Sequence, residues 1–200
     1  KTTSFNYLGS KMTSDNMTEE EINNRIAKFT KNLCALYPLL KEKNIPRDVK
    51  TCIYTTILRP VLLYGSEVWT LTTKLKSRVQ ATEMRVLRLI FGVTRMDRIR
   101  NEVIRQTLSV EPILALVERN QLRWFGHLHR MPEDRDVKRI YNWTPKKKRP
   151  AGRPRKRWLD QIVEITRREE PNFQVVKKMT EDRAVWREFA RRLTTYRPLA

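Results

Sequence analysis

The sequence predicts a mainly α-helical protein: a short N-terminal β-hairpin, a multi-helix bundle, a basic linker and a small C-terminal helical region. Three observations predict it. Apolar residues recur at spacings of three and four along most of the chain. Helix-capping residues precede several of these runs. Glycine is scarce, 5 in 200 residues, which argues against an all-β sandwich rich in tight turns.

The elements follow in order. Phe5 and Tyr7 alternate and run into Gly9, which reads as a short strand and turn. Thr18-Glu19-Glu20-Glu21 has the form of a capping box, and Ile22, Ile26, Phe29, Leu33, Leu36 and Leu40 follow as a helical stripe, so a helix is expected over 18–43. Pro46 suits the first turn of the next helix, where Val49, Ile53, Ile57, Leu58, Val61 and Leu62 are expected inward. Pro60 should kink or split it, having no N–H to donate. A helix over 73–91 places Leu75, Val79, Val86, Leu87, Ile90 and Phe91 inward, with Gly92 as its C-cap. A shorter helix is expected over 97–107. Ser109 should cap the next, which carries Pro112 in its first turn, buries Ile113, Leu116, Val117, Leu122 and Phe125, and ends near Met131-Pro132. Residues 141–154 lose all periodicity. Two more helices are expected over 155–169 and 180–193, the last capped by Thr180-Glu181-Asp182. The organisation expected is a hairpin region over 1–17, a helical bundle over 18–140, a basic linker over 141–157 and a helical segment over 158–200.

Charge narrows the partners. Lys and Arg total 42 against 22 Asp and Glu, a net charge of +20. Self-repulsion on that scale points to a polyanionic partner. The excess grows along the chain: +4 over residues 1–60, +6 over 61–140 and +10 over 141–200. Lys146 to Arg157 holds eight cations in twelve residues and no acid. Pro145, Pro150, Gly152 and Pro154 forbid the amphipathic helix that a membrane surface would need, so nucleic acid is the expected partner and no membrane is. Two cysteines, Cys34 and Cys52, exclude a disulfide scaffold and a Cys-rich zinc module and suggest a reduced, intracellular setting. No stretch approaches the roughly 18 apolar residues of a membrane span. The chain opens without Met or a signal peptide and reads as a piece of a longer polypeptide.

The sharpest motif is Gly152-Arg153-Pro154, the centre of an AT-hook. Glycine lets backbone approach the minor-groove floor, Arg153 would lie along it, and Arg155, Lys156 and Arg157 would reach phosphates. A full hook has Arg before the Gly, and Ala151 stands there instead. An A·T-selective hook, a non-selective nucleic-acid contact, a nuclear-import signal and a solvated linker all fit these residues. Lys146, Lys147, Lys148 and Arg149 add four phosphate contacts to the candidate site. His127 and His129 are the sole histidines; on a helix they point roughly 200° apart, zinc would need further ligands, and the two cysteines lie far away in sequence, so no metal site is expected. Base stacking or packing near Trp124 suits them better. Asp48-Val49-Lys50 and Asp136-Val137-Lys138 match a nuclease metal motif, but chance alone supplies about two such matches. No Asp-Asp pair, Gly-rich phosphate loop or G-x-S-x-G motif occurs. Trp158 and Trp186 lie on apolar faces and are expected in the core; for Trp143 beside Tyr141, stacking on a base and packing at the edge of the core fit equally.

Eight short motifs stand in a definite order: Phe5-Asn6-Tyr7-Leu8-Gly9; Arg25-Ile26-Ala27; Leu63-Tyr64-Gly65-Ser66-Glu67-Val68-Trp69; Glu83-Met84-Arg85-Val86-Leu87-Arg88; Leu122-Arg123-Trp124-Phe125-Gly126-His127; Arg130-Met131; Gly152-Arg153-Pro154-Arg155 with Arg157-Trp158; and Asp182-Arg183-Ala184-Val185-Trp186. Together they resemble the C-terminal region of non-LTR (LINE-type) retrotransposon endonuclease/reverse transcriptases, over nearly the whole chain. The resemblance implies that Phe5, Tyr7, Leu8 and Gly9 form the primer-grip hairpin at the end of the palm. It implies that the helices after it form a thumb, and that the later helices and linker hold nucleic acid during target-primed reverse transcription, with Arg123, His127 and Arg130 among the contacts. It implies RNA and DNA partners, docking to an upstream palm, a nuclear site of action after a cytoplasmic ribonucleoprotein stage, and Mg²⁺ in the full-length polymerase. The polymerase aspartates and endonuclease are expected upstream of Lys1, so the fragment alone is expected to hold no cofactor and to be inactive. A stand-alone or domesticated DNA- or RNA-binding module is the alternative from a different class.

Overall fold

A computed structural model describes residues 4–13, 18–143, 152 and 156–195 of the chain. The fold is mainly α, with one two-stranded antiparallel hairpin at the N-terminus. Two compact units divide it: one takes the residues up to Ser66 together with Leu71–Val117, the other Glu67–Thr70 and Glu118–Thr195.

In the first unit, β1 (Ser4–Tyr7) pairs with β2 (Ser10–Thr13) across a two-residue turn. Leu8 and Gly9 both take positive φ, 46° and 81°, the conformation whose twist suits a tight hairpin. Helix α1 (Thr18–Lys41) buries Ile22, Phe29, Leu33 and Leu40, one stripe along its length. Glu21, expected in a capping box, instead accepts the Lys11 backbone N–H and pairs with Arg25. Helix α2 (Arg47–Ile53) passes through a π-helical turn, Tyr54–Leu58, into α3 (Arg59–Leu63). Arg59 donates to the Tyr54 carbonyl, five residues back, just before Pro60, which has no N–H. The wide turn rotates the buried face. Tyr54, Leu58 and Leu62 go inward, whereas Val49 and Ile57, expected inside, are 45 % and 46 % exposed.

Helix α4 (Thr73–Phe91) packs on α1, starts on the Thr72 side-chain cap and ends at Gly92 in the left-handed conformation. The next helix, α5, spans Asn101–Thr107; the residues before it turn instead, with Asp97 accepting from the Thr94 backbone and hydroxyl. Ser109 is no helix cap: it takes φ 52° behind α5 and donates its N–H to Gln106. Helix α6 (Ile113–Arg130) starts directly after Pro112, whose carbonyl accepts from Ala115. A buried polar centre ties these elements together. Glu83 of α4, fully buried, accepts from Arg105 at 2.6 Å, from the Ile113 N–H at 2.9 Å and from Tyr54 Oη at 3.3 Å. Burial pushes the Glu83 carboxyl up, opposed by Arg105 and by the Ile113 N–H, and it pushes the Tyr54 hydroxyl well up.

In the second unit, α7 (Asp136–Asn142), α8 (Trp158–Thr166), α9 (Phe173–Met179) and α10 (Arg183–Thr194) join the larger part of α6. Leu122, Phe125, Ile162, Ile165, Val176, Trp186 and Phe189 form its core. Asp182 caps α10 by accepting from the Ala184 and Val185 N–H groups. Neither α7 nor α9 is long enough to carry a periodic apolar stripe in sequence. Lys138 of α7 is buried because its ammonium donates to the Leu128 and His129 carbonyls at the end of α6, at 3.2 and 2.9 Å. This use removes Lys138 from any nuclease reading of Asp136-Val137-Lys138.

Candidate nucleic-acid interface

The hairpin is fastened to the first unit by its turn. The Gly9 carbonyl accepts from Arg25 at 2.6 Å and from Lys28 at 3.0 Å, and the Leu8 carbonyl accepts from Tyr64 Oη at 2.7 Å. Arg25 is buried, pairs with Glu21 at 2.6 Å and lies over the Tyr64 ring at 4.3 Å. Three motif segments far apart in sequence, 5–9, 25–27 and 63–69, therefore meet at one latch. Held this way, Phe5 and Tyr7 are each 57 % exposed and Leu8 is 75 % exposed. As residues two apart on a strand, Phe5 and Tyr7 share one face. Beside the latch, Arg25, Lys28, Lys31, Asn32, Val61 and Tyr64 line a cleft of about 580 Å³ that holds no carboxylate. Arg25 is buried in the latch; Lys28, which shares the Gly9 carbonyl, and Lys31 are exposed. Neither lysine was singled out in the sequence, although the spacing 25, 28 places Arg25 and Lys28 on adjacent turns of one helix.

In the second unit, Arg123, His127 and Arg130 are brought together on one exposed face of α6. Arg123, His127, Asn120 and the half-buried Trp124 line a cleft of about 400 Å³ with Glu67. The Trp124 and His127 rings stand 5.5 Å apart. Arg130 lines a second cleft, also reaching His127, and donates to the Thr180 carbonyl at 2.7 Å. Burial, aided by Arg183, lowers its guanidinium from the ordinary arginine value.

His129 is on the other side of the helix. Its ring packs on Phe125 and Tyr141, and Nε2 lies 3.2 Å from Tyr141 Oη. Burial first, then Lys138 and Lys177, lower it to about 4, against a smaller raising by Glu133. A histidine depressed in the folded state adds stability that is full above its unfolded value, near pH 6.5, and is lost as pH falls through about 4. Melting of this unit is expected to weaken across that window, and His129→Phe is expected to flatten the dependence. Among the described residues no group of three His, Cys, Asp or Glu converges to hold a metal.

Of the linker residues, Lys146, Lys147, Lys148, Arg149, Arg153 and Arg155 lie outside the described residues. Gly152 is exposed at φ 112°, a backbone that favours glycine. Lys156 and Arg157 are exposed but engaged: Lys156 pairs with Glu164, and Arg157 pairs with Asp160 at 2.8 Å while its N–H caps onto Asp160 at 2.9 Å. The pairing raises Arg157 and lowers Asp160. A cation at a helix start opposes the helix dipole, and the pairing with Asp160 offsets that inside the chain. Trp186 is core, 3 % exposed; Trp158 is half-buried, its indole donating to the Glu67 carbonyl; Trp143 is 66 % exposed.

The chain is similar to an uncharacterized transposon-derived protein of Caenorhabditis elegans, with 32 % identity over 157 residues, 74 % of this chain and 56 % of the relative. The chain thus spans about half the length of that relative. This likeness supports a transposable-element origin. No family model and no solved structure matches the chain.

Proposed function

We propose that the chain is the nucleic-acid-holding C-terminal segment of a retrotransposon RNA-directed DNA polymerase. In this reading it grips template–primer and target nucleic acid in the nucleus, and the polymerase centre belongs to an upstream palm of the same polypeptide. The observation that carries the reading is the latched hairpin. Two exposed aromatic rings and an exposed turn leucine stand on a hydrogen-bonded anchor beside a cleft whose lining charges are all cationic. Such a surface offers rings to bases or sugars and lysines to phosphates, so it positions a strand without reading its sequence. The transposon-derived relative and the net charge of +20 point the same way.

The test is binding of a labelled RNA–DNA hybrid by fluorescence anisotropy. Phe5→Ala with Tyr7→Ala is expected to cost about 1–3 kcal/mol per stacked base lost, roughly 5- to 150-fold in Kd. Lys28→Ala with Lys31→Ala should instead reduce the salt slope by about two. Unchanged binding in both variants, with unchanged melting, would contradict the reading.

A further inference from the structure

A large concavity in the first unit lies away from the hairpin, between α1 and α4. Its volume is about 990 Å³. Its floor is aliphatic: Leu33 and Met84 are buried at its base, with Leu89 and Leu114 half-buried beside them. Small residues open it on the α4 side, where Ser77 and Ala81 stand one turn apart and are both exposed. The charged residues that line it are all basic, with Asp97 just outside, accepting from the lining Thr94. Lys76, Arg85, Arg88 and Arg95 line it and no carboxylate does. The sole acid of α4 is Glu83, which is turned into the buried centre with Arg105. Arg88 is held by Asn101 at 2.6 Å, while Arg85 and Arg95 are exposed and have no carboxylate partner among the described residues.

We infer that this groove docks an amphipathic helix of a partner protein, with aliphatic anchors on one face and carboxylates on its flanks. The inference is independent of the nucleic-acid reading above. Two arguments select the occupant. A nucleic-acid backbone would meet the exposed Arg85 and Arg95 but leave the aliphatic floor uncovered, and single-stranded bases need aromatic platforms, of which Tyr37 at the rim is the one ring among the lining residues. A helix laid in a groove between two helices uses the floor and the rim together: apolar anchors at i, i+3, i+4 and i+7 enter the groove, and acids beside them meet the cations. Met84 at the floor adapts to anchors of different shape. A second copy of the chain is disfavoured by its own charge of +20.

The probe is a fluorescein-labelled designed helix of about 18 residues, long enough to hold helical structure when docked, with leucine at the anchor positions and glutamate on the flanks. The control has the same composition scrambled, so that the leucines share no face. The designed helix is expected to bind and the control to bind at least tenfold more weakly. Ala81→Trp fills the groove without changing charge, and is expected to weaken the designed helix about tenfold while leaving melting and hybrid binding unchanged. Arg85→Glu with Arg95→Glu is expected to weaken the helix by a similar factor. Equal binding of control and designed helix would overturn the inference, as would indifference to Ala81→Trp. Loss of hybrid binding in Ala81→Trp would assign the groove to nucleic acid, and dimerisation abolished by that variant would assign it to a second copy; either overturns the proposal.

Discussion

Arg105→Leu is expected to destabilise the first unit by about 3–5 kcal/mol, because it leaves the fully buried Glu83 carboxylate without its counter-ion. That is a large fraction of the whole stability of a small domain. The two remaining donors, the Ile113 N–H and Tyr54 Oη, do not carry charge. The loss should depend on pH in a defined direction. Burial already raises Glu83, and removing Arg105 removes the chief opposing influence. A carboxyl raised in the folded state contributes stability that is full below its unfolded value and is lost as pH rises through the folded one. Denaturant melts of the variant should therefore recover toward the parent on acidification from pH 8 to pH 5. Equal destabilisation at both pH values would show that Glu83 is not the group responsible. Glu83→Gln with Arg105→Leu removes both charges and should cost less than Arg105→Leu alone.

Gly126→Ala is the second large effect, in the other unit. A Cβ at position 126 would lie 2.1 Å from Trp186 Nε1 and 2.2 Å from its Cδ1. Helix propensity alone favours alanine by roughly 0.5–1 kcal/mol. Packing opposes it. Trp186 is 3 % exposed, lies against Phe125 and Phe189, and donates from Nε1 to the Leu122 carbonyl at 2.9 Å. Forcing the indole away costs about 1–3 kcal/mol in overpacking and about 1–3 kcal/mol for a buried donor and acceptor left apart. The net expectation is destabilisation of about 2–4 kcal/mol, so packing wins. In a Trp186→Phe background, which lacks the colliding Nε1 donor, the cost of Gly126→Ala should shrink. Additive costs would refute the contact. The glycine of Trp124-Phe125-Gly126-His127 thus makes room for Trp186 in the core of this unit.

What sequence reasoning reaches is set by the range of the interaction. Helix α4 is legible because Gly92 marks its C-terminus and Leu75, Val79, Val86, Leu87 and Ile90 share one stripe, although Glu83, buried in the gap of that stripe, is not. The hairpin is legible from Phe5, Tyr7 and Gly9 for the same local reason. Val49 and Ile57 mislead because the π-helical turn before Pro60 changes the period partway along the run. Helix α7 escapes notice because Lys138, a charged residue, is the one it buries, and the α6 carbonyls that justify burying it are visible only in three dimensions. The candidate site divides in the same way. Arg123, His127 and Arg130 fall on one helical face by spacing alone. Arg25 belongs to a recognisable motif, but its duty to the Gly9 carbonyl and Tyr64 requires the fold. The pairing of Arg157 with Asp160 was open to inspection as a three-residue spacing at a helix start.

We propose that this chain holds nucleic acid through many phosphates at once. The most direct measurement is the affinity of the purified chain for an RNA–DNA hybrid across a salt series. If six to eight phosphates are neutralised, log K against log salt should fall with a slope of about −5 to −7, and replacing Lys146, Lys147, Lys148 and Arg149 with alanine should flatten it by up to about four. A slope near zero in the parent chain would contradict the account.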